Sequence, residues 1–523
     1  MEALAEEEGG APAAGVSPPR RALVFVGFMG AGKSSAARTV AAELGAEPLD
    51  TDRELERRIG RPLEAFFDAR GEAAFRAAEE EVVLELLGRE DARVVALGGG
   101  SLGSELVREA LSDHVVVHLE VEPEDAWHRA SGRGRPLARD YGRFLQLHAD
   151  RHTVYEAAAD ATLPPDGREA VRHALPALTR LREAPAGTRL VWARSASGHY
   201  PVFFGRGLLR SGFFPLDAGR RLVVSDAAVG LLHRLPGAEA VMDVPAGEQE
   251  KTLARAEAVL RALARAGATR EDLVVAVGGG VVGDLVGFCA AVYQRGVPHV
   301  QVPTTLVAQV DSAYGGKTGV DLPEGKNYAG AYHQPSAVLV DPAVLETLPA
   351  AERSAGYAEV VKTALIAGGP LWARVRTGGE LDDATILGCA RTKLSVVAED
   401  ERDEGARQAL NLGHTVAHAV EAATGYARYR HGEAVGIGLL CALRLSGRDA
   451  LRSEVADLLA ARGLPLAYEG AGVDEVLGFL ARDKKRRAGR VGWVLLSSPG
   501  EVRVGQELSD AAVREALEEA RAR

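Results

Sequence analysis

The stretch Ala22-Leu-Val-Phe-Val-Gly-Phe-Met-Gly-Ala-Gly-Lys-Ser34 decides the fold of the first part of the chain. Five apolar residues at 22–26 read as a short buried strand, and the Ala-rich residues behind Ser34 read as a helix. Between them, Gly27-Phe-Met-Gly-Ala-Gly-Lys-Ser34 fits the phosphate-loop pattern GxxxxGK[ST]. The glycines let backbone N–H groups turn inward around phosphate oxygens at the start of a helix. Lys33 brings a point charge to the phosphate in transfer, and the Ser34 hydroxyl can ligate Mg²⁺. Gly30, Ala31, Gly32, Lys33, Ser34 and Ser35 are therefore the expected nucleotide cradle. A glycine turn that merely caps a helix is the simpler reading, but the correct strand and helix on its two flanks set it aside.

Outward from the loop, strand and helix patterns alternate to about residue 165, with strands over 94–97 and Val115–Leu119. That alternation predicts a parallel α/β sheet. The loop says only "nucleotide", and the following residues narrow it. Asp50-Thr-Asp52 ends a predicted strand, where a carboxylate can hold Mg²⁺ or accept from a substrate hydroxyl. Phe75-Arg76-x-x-Glu79 falls on a helix, so Arg76 and Glu79 share a face. Gly98-Gly-Gly100 is bare backbone after a strand, open to a small ring. Arg133-Gly-Arg135-Pro-Leu137 follows in a loop, then Arg151-x-x-x-Tyr155. Residues 164–188 contain one more helix, read as the terminal helix of this domain plus a linker.

The bulk composition fits a chain of two or three globular domains: 523 residues, 46% apolar and 26% charged. A formal charge of -11 argues against nucleic acid as a partner, which calls for a concentrated basic face. The run Lys484-Lys485-Arg486-Arg487 is short enough for a solvated helix face or a local anion site. Cys289, Cys389 and Cys441 stand alone, which argues against a disulfide framework or a cysteine zinc module and fits a reducing cytoplasm. No apolar run reaches membrane-spanning length. The first twenty residues begin acidic and carry Gly, Ala and Pro, so they read as a disordered tail and not as a signal peptide.

A second α/β series starts near Leu190, with strands at 222–224 and 273–277. Gly278-Gly-Gly-Val-Val-Gly-Asp284 follows the second of these. It is not a GxGxxG fingerprint, yet a pyrophosphate resting on amides at a helix start obeys the same physics. Gly247-Glu248-Gln-Glu-Lys251 offers a carboxylate for a ribose and a lysine beside it. Pro303-Thr304-Thr305, Asp311-Ser312-x-x-Gly315-Gly316-Lys317 and Gly325-Lys326-Asn327 crowd polar groups into a loop-rich stretch that calls for a ligand. After about residue 345 the pattern turns helical over 350–366, 384–398 and 408–424, with one late strand over 491–496. Glu359 lies in Gly356-Tyr-Ala-Glu-Val-Val-Lys362. His414 and His418 lie one turn apart in Asn411-Leu-Gly-His-Thr-Val-Ala-His418, and His431 opens His431-Gly-Glu433. A lone His on an Ala-rich helix is more often structural. Three so close together, with a carboxylate, point to a catalytic divalent site that needs one carboxylate and two imidazoles.

Residues 22–170 resemble shikimate kinase through the phosphate loop, DxD, FRxxE, GGG, RPL and RxxxY. The resemblance implies that Asp52, Arg76, Gly99 with its neighbours, and Arg151 hold shikimate. It makes Arg135 a lid arginine over ATP, Asp50 a neighbour of Mg²⁺, and Asp52 the group that orients or deprotonates the attacking 3-hydroxyl. Catalysis would be in-line phosphoryl transfer, mostly positioning and charge neutralisation, with Lys33 and Arg135 taking part. Ala138 departs from the leucine more usual after RPL. Another phosphate-loop kinase of small molecules, such as a gluconate kinase, would not be expected to carry this series.

Residues 188–523 resemble 3-dehydroquinate synthase through GGGVVGD, PTTLVAQVDS, GGKTGV, GYAEVVK, NLGHTVAHAVE and HGEAVG. By that resemblance Glu359, His414 and His431 ligate Zn²⁺ or Co²⁺, and His418 is a substrate or proton-relay residue. NAD would be held by Asp226, Glu248, Lys251, Gly279, Gly280, Asp284, Thr304, Thr305, Lys317, Lys326, Thr347 and Leu348. Substrate contacts carry over to Asp311, Lys317, Asn327, Lys362, Lys393, Arg407, Asn411, His418 and Lys484, with Arg295 reaching the substrate phosphate across a dimer interface. Of these, Asp311, Lys317, Lys362 and His418 carry the chemistry that turns 3-deoxy-D-arabino-heptulosonate 7-phosphate into 3-dehydroquinate and phosphate. Tyr314 and Asp403 depart from the residues more common in the family at their places. The rival readings are a sibling cyclase of glucose 6-phosphate or sedoheptulose 7-phosphate, a metal alcohol dehydrogenase like glycerol dehydrogenase, and a catalytically dead scaffold.

The expected architecture is α/β throughout: a disordered tail over 1–20, a P-loop kinase parallel sheet over 21–170 and a linker over 171–187. A Rossmann-like NAD-binding α/β domain over 188–345 and a mainly helical metal-binding domain over 346–523 follow. The expectation is a bifunctional cytoplasmic enzyme of the shikimate pathway with NAD, a Zn²⁺ or Co²⁺ ion and Mg-ATP. Its partners would be small molecules, with no nucleic acid and no membrane, and the chain would form a homodimer through the synthase part.

Overall fold

The computed structural model describes residues 22–131, 136–165, 167–217, 219–486 and 492–522. They form two compact units: one runs to Trp192 and takes back Gly205–Leu216, and the other comprises Ala193–Phe204 and everything from Asp217. Helix Gly167–Leu181 belongs to the first unit, so the linker expected over 171–187 is mostly the body of that helix. Among the described residues no helix is long and apolar enough to cross a membrane.

In the first unit, strands β1 (Leu23–Val26), β2 (Pro48–Asp50), β3 (Val94–Ala96), β4 (Val115–Leu119) and β5 (Ala161–Leu163) form a parallel sheet in the order β2-β3-β1-β4-β5. β1 and β4 are buried along their whole length, as continuous apolar runs in a two-sided parallel sheet should be. Each strand end points into a loop, and β1 feeds the phosphate loop and helix Lys33–Glu43. Asp50 ends β2 and caps helix Thr51–Ile59 by accepting from Arg53 N at 3.2 Å; Asp52, expected at the strand end, sits in the first turn of that helix.

β6 (Arg189–Ser195) pairs its first residues with β5. The second unit holds β7 (Gly198–Phe204), β8 (Arg221–Asp226), β9 (Glu239–Val244), β10 (Leu273–Gly278) and β11 (His299–Pro303). The ribbon of β12 (Lys317–Leu322) and β13 (Gly325–Tyr332) comes next in the chain, followed by β14 (Ala337–Val340). The parallel order is β7-β14-β11-β10-β8-β9, while β12 and β13 pair with each other, antiparallel. The stretch around 317–327, expected as loop, is thus largely this ribbon. Beyond residue 349 the described residues of the unit are mainly helical, apart from an antiparallel pair, β15 (Trp493–Ser498) and β16 (Glu501–Gln506). The single helix expected over 408–424 is broken. A short 3₁₀ turn, Ala406–Asn411, ends before Gly413 (φ 80°), and helix His414–Ala423 starts anew.

Two glycines set the crossing of the site-bearing helices. A Cβ on Gly432 would lie 1.8 Å from the Ala355 carbonyl oxygen, and one on Gly438 would lie 2.1 Å from the Gly413 carbonyl oxygen. Helix His431–Leu445 therefore touches helix Ala350–Ala367 on one side and the Gly413 break on the other at backbone distance. That closeness lets short side chains from three elements converge.

Candidate active sites

In the first unit Lys33 Nζ donates to the carbonyls of Gly27 (2.9 Å) and Phe28 (3.1 Å), curled over its own loop. Beside the loop, Arg76 Nη1 donates to Glu79 Oε2 at 2.6 Å, and Glu79, 4% exposed, also accepts from Ser101 Oγ at 3.1 Å. Arg151 Nη1 and the Tyr155 hydroxyl both donate to the Gly99 carbonyl, the former at 3.0 Å. Burial pushes the Tyr155 phenol up to about 12, so it stays a donor against the pull of Arg151. A cavity of about 550 Å³ is lined by Arg76, Glu79, Gly99, Gly100, Arg151 and Tyr155. Arg76, Gly99 and Arg151 are thereby brought together as expected. Asp52 stands at their edge, its Oδ1 2.9 Å from where a Cβ on Gly98 would be. Arg135 lies outside the described residues.

In the second unit, helix Gly280–Val292 starts at the end of β10 with Gly279 as its N-cap. A Cβ on Gly279 would come 2.8 Å from Thr305 Cγ2, so only glycine leaves the backbone open there. Lys251 Nζ donates to Asp284 Oδ2 at 2.6 Å, and the Thr304 hydroxyl is buried with no partner among the described residues. Asp226 caps helix Ala227–Leu232, and Thr347, next to Leu348, meets His233 Nε2 at 2.8 Å. A glycine-bare helix start and an orphaned buried hydroxyl fit a dinucleotide lying across the strand ends.

The same unit carries a row of alternating charges. Glu248 Oε1 is 3.8 Å from Lys326 Nζ, which is 3.1 Å from Glu421 Oε1. Glu421 Oε1 is 3.4 Å from His431 Nδ1, and His431 Nε2 is 3.5 Å from Glu359 Oε1. His414 Nε2 joins at 3.4 Å from the same Glu359 oxygen. Glu359 Oε2 is 2.7 Å from Lys362 Nζ, Lys362 is 2.8 Å from Asp311 Oδ2, and Asp311 Oδ1 pairs with Lys393. Asp311 sits on a π-helical turn, Ala308–Ser312, the kind of local widening that re-aims a side chain.

Burial alone would push Glu359 up. The Lys362 charge and the His414 imidazole outweigh it and hold the carboxyl well below its ordinary range. Asp311 is likewise held down against burial by Lys362 and Lys393, whereas burial lowers Lys393 despite Asp311. The ligand atoms of Glu359, His414 and His431 lie within 4.8 Å of one another. One carboxylate oxygen and two imidazole nitrogens suit a divalent transition metal with room left for a substrate oxygen.

Other expected residues are placed less directly. Arg407 is buried, and its guanidinium donates to the carbonyls of Glu401 and, at 3.1 Å, Gly315. Lys317 pairs with Asp403 at 2.7 Å, and Asn327 takes φ 55° with its N–H on Asp321 Oδ1 at 2.7 Å. Asn411 closes the 3₁₀ turn ahead of His414. Arg295 is exposed on a left-handed turn after helix Gly280–Val292 and makes no hydrogen bond or ion pair among the described residues. The Lys484 side chain lies outside them. The departure at Tyr314 is accommodated by its hydroxyl donating to Gln309 O at 2.7 Å in the core. Glu433 caps the Arg430 N–H at 2.8 Å.

Glu421 is the residue the sequence reading passed over. Its signal was available: on helix His414–Ala423 it is seven residues past His414 and three past His418, on the same face. His418, Glu421 and His431 form a second cluster of ligating atoms that shares His431 with the first.

Fold and sites define a phosphate-loop phosphotransferase domain joined to a dinucleotide- and metal-type enzyme with a helical second layer. The family model for shikimate kinase matches residues 29–180, and those for the N-terminal and C-terminal parts of 3-dehydroquinate synthase match 241–355 and 356–486. The chain belongs to the 3-dehydroquinate synthase family and carries a shikimate kinase domain ahead of it. The 3-dehydroquinate synthase of Halorhodospira halophila is 43% identical over 354 residues, covering 64% of this chain and 99% of the relative. Among solved structures, a 2-epi-5-epi-valiolone synthase from Streptomyces hygroscopicus subsp. jinggangensis with NAD⁺ and Zn²⁺ bound is 28% identical. It covers 61% of this chain and 96% of its own, with a TM-score of 0.57. A 2-deoxy-scyllo-inosose synthase complexed with carbaglucose-6-phosphate, NAD⁺ and Co²⁺ is 25% identical over 63% of this chain and 99% of its own, with a TM-score of 0.56.

Proposed function

We propose that the first unit phosphorylates shikimate from Mg-ATP and that the second cyclises 3-deoxy-D-arabino-heptulosonate 7-phosphate to 3-dehydroquinate with release of inorganic phosphate. For the kinase, the observation that carries the reading is the convergence of Arg76, Arg151 and the Gly99 backbone on one cavity beside the phosphate loop. Two guanidinium groups suit a ring carboxylate, and Asp52 at the edge is placed to take the proton of the attacking hydroxyl. Lys33 would exchange its loop carbonyls for phosphate oxygens, and Ser34 and Asp50 would face Mg²⁺.

For the synthase, the carrying observation is the Glu359, His414 and His431 set joined through Lys362 to Asp311 and Lys393. NAD and a Zn²⁺ or Co²⁺ ion supply, when bound, reversible hydride transfer and Lewis-acid polarisation. The chain's own part is to bind and orient. Lys362, Lys393 and Arg407 form the positive ground for the substrate's phosphate, and Asn411 and His418 face the ring hydroxyls. Gly279, Gly280 and Thr304 hold the dinucleotide. The same reading makes the working enzyme a cytoplasmic homodimer in which Arg295 reaches the partner's substrate phosphate; three buried free cysteines suit a reducing compartment.

The test supplies the seven-carbon keto-acid phosphate with NAD⁺ and Co²⁺ and follows phosphate release and carbocycle formation with no net NADH. Absence of release refutes the synthase half. Separately, ATP turnover indifferent to shikimate refutes the kinase half. His414→Ala is expected to abolish phosphate release and leave shikimate phosphorylation unchanged.

A further inference from the structure

His431 stands between two carboxylates, with Glu359 on its Nε2 side at 3.5 Å and Glu421 on its Nδ1 side at 3.4 Å. A histidine gives a metal only one nitrogen. The other carries the proton and needs an acceptor, which then fixes both tautomer and ring orientation. Glu421 is 2% exposed, and its Oε2 has no hydrogen-bond partner among the described residues. No position of the assigned ligand set uses this buried charge.

We propose that Glu421 is a positioning residue: it accepts from His431 Nδ1–H and thereby holds His431 Nε2 on the metal. The inference rests on the ligand set Glu359, His414 and His431 put forward above. The alternative use of Glu421, as a ligand of a second cation with His418 and His431, is disfavoured by the charge already beside it. Lys326 Nζ already lies 3.1 Å from the same Glu421 oxygen and supplies the positive charge there. Lys326 is in turn 5.0 Å over the Tyr426 ring and 3.8 Å from Glu248, so the clamp is tied to the dinucleotide side of the cleft.

The experiment titrates the metal-free full chain with Co²⁺ against a competing chelator and records the visible Co²⁺ spectrum, for the wild type, Glu421→Ala, Glu421→Gln, Glu421→Asp and His414→Ala. Glu421→Ala is expected to weaken Co²⁺ about 10- to 100-fold and to alter the spectrum. Glu421→Gln, which keeps shape but not charge, should weaken it by a smaller factor, and Glu421→Asp should recover part of the loss. Should Glu421→Ala not fold, the ordered pair Gln and Asp decides. Wild-type affinity and spectrum in both Glu421→Gln and Glu421→Ala overturn the proposal, as does a stoichiometry of two Co²⁺ per chain in the wild type. His414→Ala separates the two levels: if it binds Co²⁺ like the wild type, the ligand set itself is wrong, whereas its loss beside an unchanged Glu421→Ala refutes the clamp alone.

Discussion

Replacing Lys362 by methionine keeps an unbranched side chain, one atom shorter, and removes its charge. Lys362 and Glu359 are each 1% exposed, and Lys362 lies between Glu359 at 2.7 Å and Asp311 at 2.8 Å. Asp311 would keep Lys393 as a partner, so the whole cost falls on Glu359. Leaving one buried charge without its counter-charge typically costs about 3–5 kcal/mol, and the remaining His414 and His431 put this case near the lower figure, about 3 kcal/mol. The pH dependence has a definite sign. In the wild type Glu359 is held below its ordinary 4.5, so its contribution is present above 4.5 and is lost as pH falls through the lower folded value. In Lys362→Met the largest lowering influence is gone and burial pushes the carboxyl upward, so the variant loses stability relative to the wild type as pH rises. The gap between the two proteins should therefore be widest near pH 7 and shrink toward pH 4.5. Urea unfolding of the chelator-treated full chain, followed by near-UV circular dichroism at several pH values, reads this directly. A gap under 1 kcal/mol at pH 7, or one that widens on acidification, would refute the reasoning.

Gly432→Ala should cost about 1–3 kcal/mol and weaken metal binding, because its Cβ would meet the Ala355 carbonyl oxygen at 1.8 Å. Gly436→Ala on the same helix, whose nearest neighbour would be Leu459 Cδ1 at 3.4 Å, serves as the tolerated control in the same melt. Gly100→Ala would put a methyl 2.0 Å from Arg76 Nη1, so the flexible guanidinium must swing away; KM for shikimate should rise about tenfold or more, with phosphate release by the synthase unchanged. An unaltered KM would count against Arg76 as a shikimate contact. His299 is 1% exposed, stacks on His333 at 5.1 Å, and burial, aided by that second imidazole, lowers it from 6.5 to about 3. The unfolded chain takes up its proton first, so His299 by itself should contribute a loss of about 2 kcal/mol between pH 6.5 and 5. That loss should vanish in His299→Phe, as unfolding free energies at the two pH values would report.

The parts legible in the sequence were those that leave a period or a spacing. The apolar runs of β1, β4 and β10 announce buried parallel strands, and the loop before Lys33 carries its own pattern. His414 and His418, one turn apart, announce a shared helix face. Partnerships between distant elements left no such mark. Lys362 reaches Asp311 across 51 residues and Lys326 reaches Glu421 across 95, and nothing periodic links them. The polar density over 311–327 suggested loops because one side of the β12–β13 ribbon is turned to charged neighbours, which spoils the apolar alternation of a half-buried strand. β16 was missed for a related reason: it is short, and Val502 and Val504 are its only apolar side chains between Glu501, Arg503 and Gln506. The break at Gly413 was hidden by the helix-forming residues on both sides of it.

The two glycines at the helix crossing have a bearing on how this enzyme can change. Hydrogen is the smallest substituent that exists, so the approach of helix His431–Leu445 to Ala355 and Gly413 has no tighter neighbour in sequence space and only wider ones. Any route by which this chain, by selection or by redesign, came to accept a larger sugar phosphate would have to leave that seam alone. Variation has more room over 402–406, where most side chains are exposed and Asp403 pairs with Lys317. The helix crossing is a fixed wall, and the exposed turn an adjustable one.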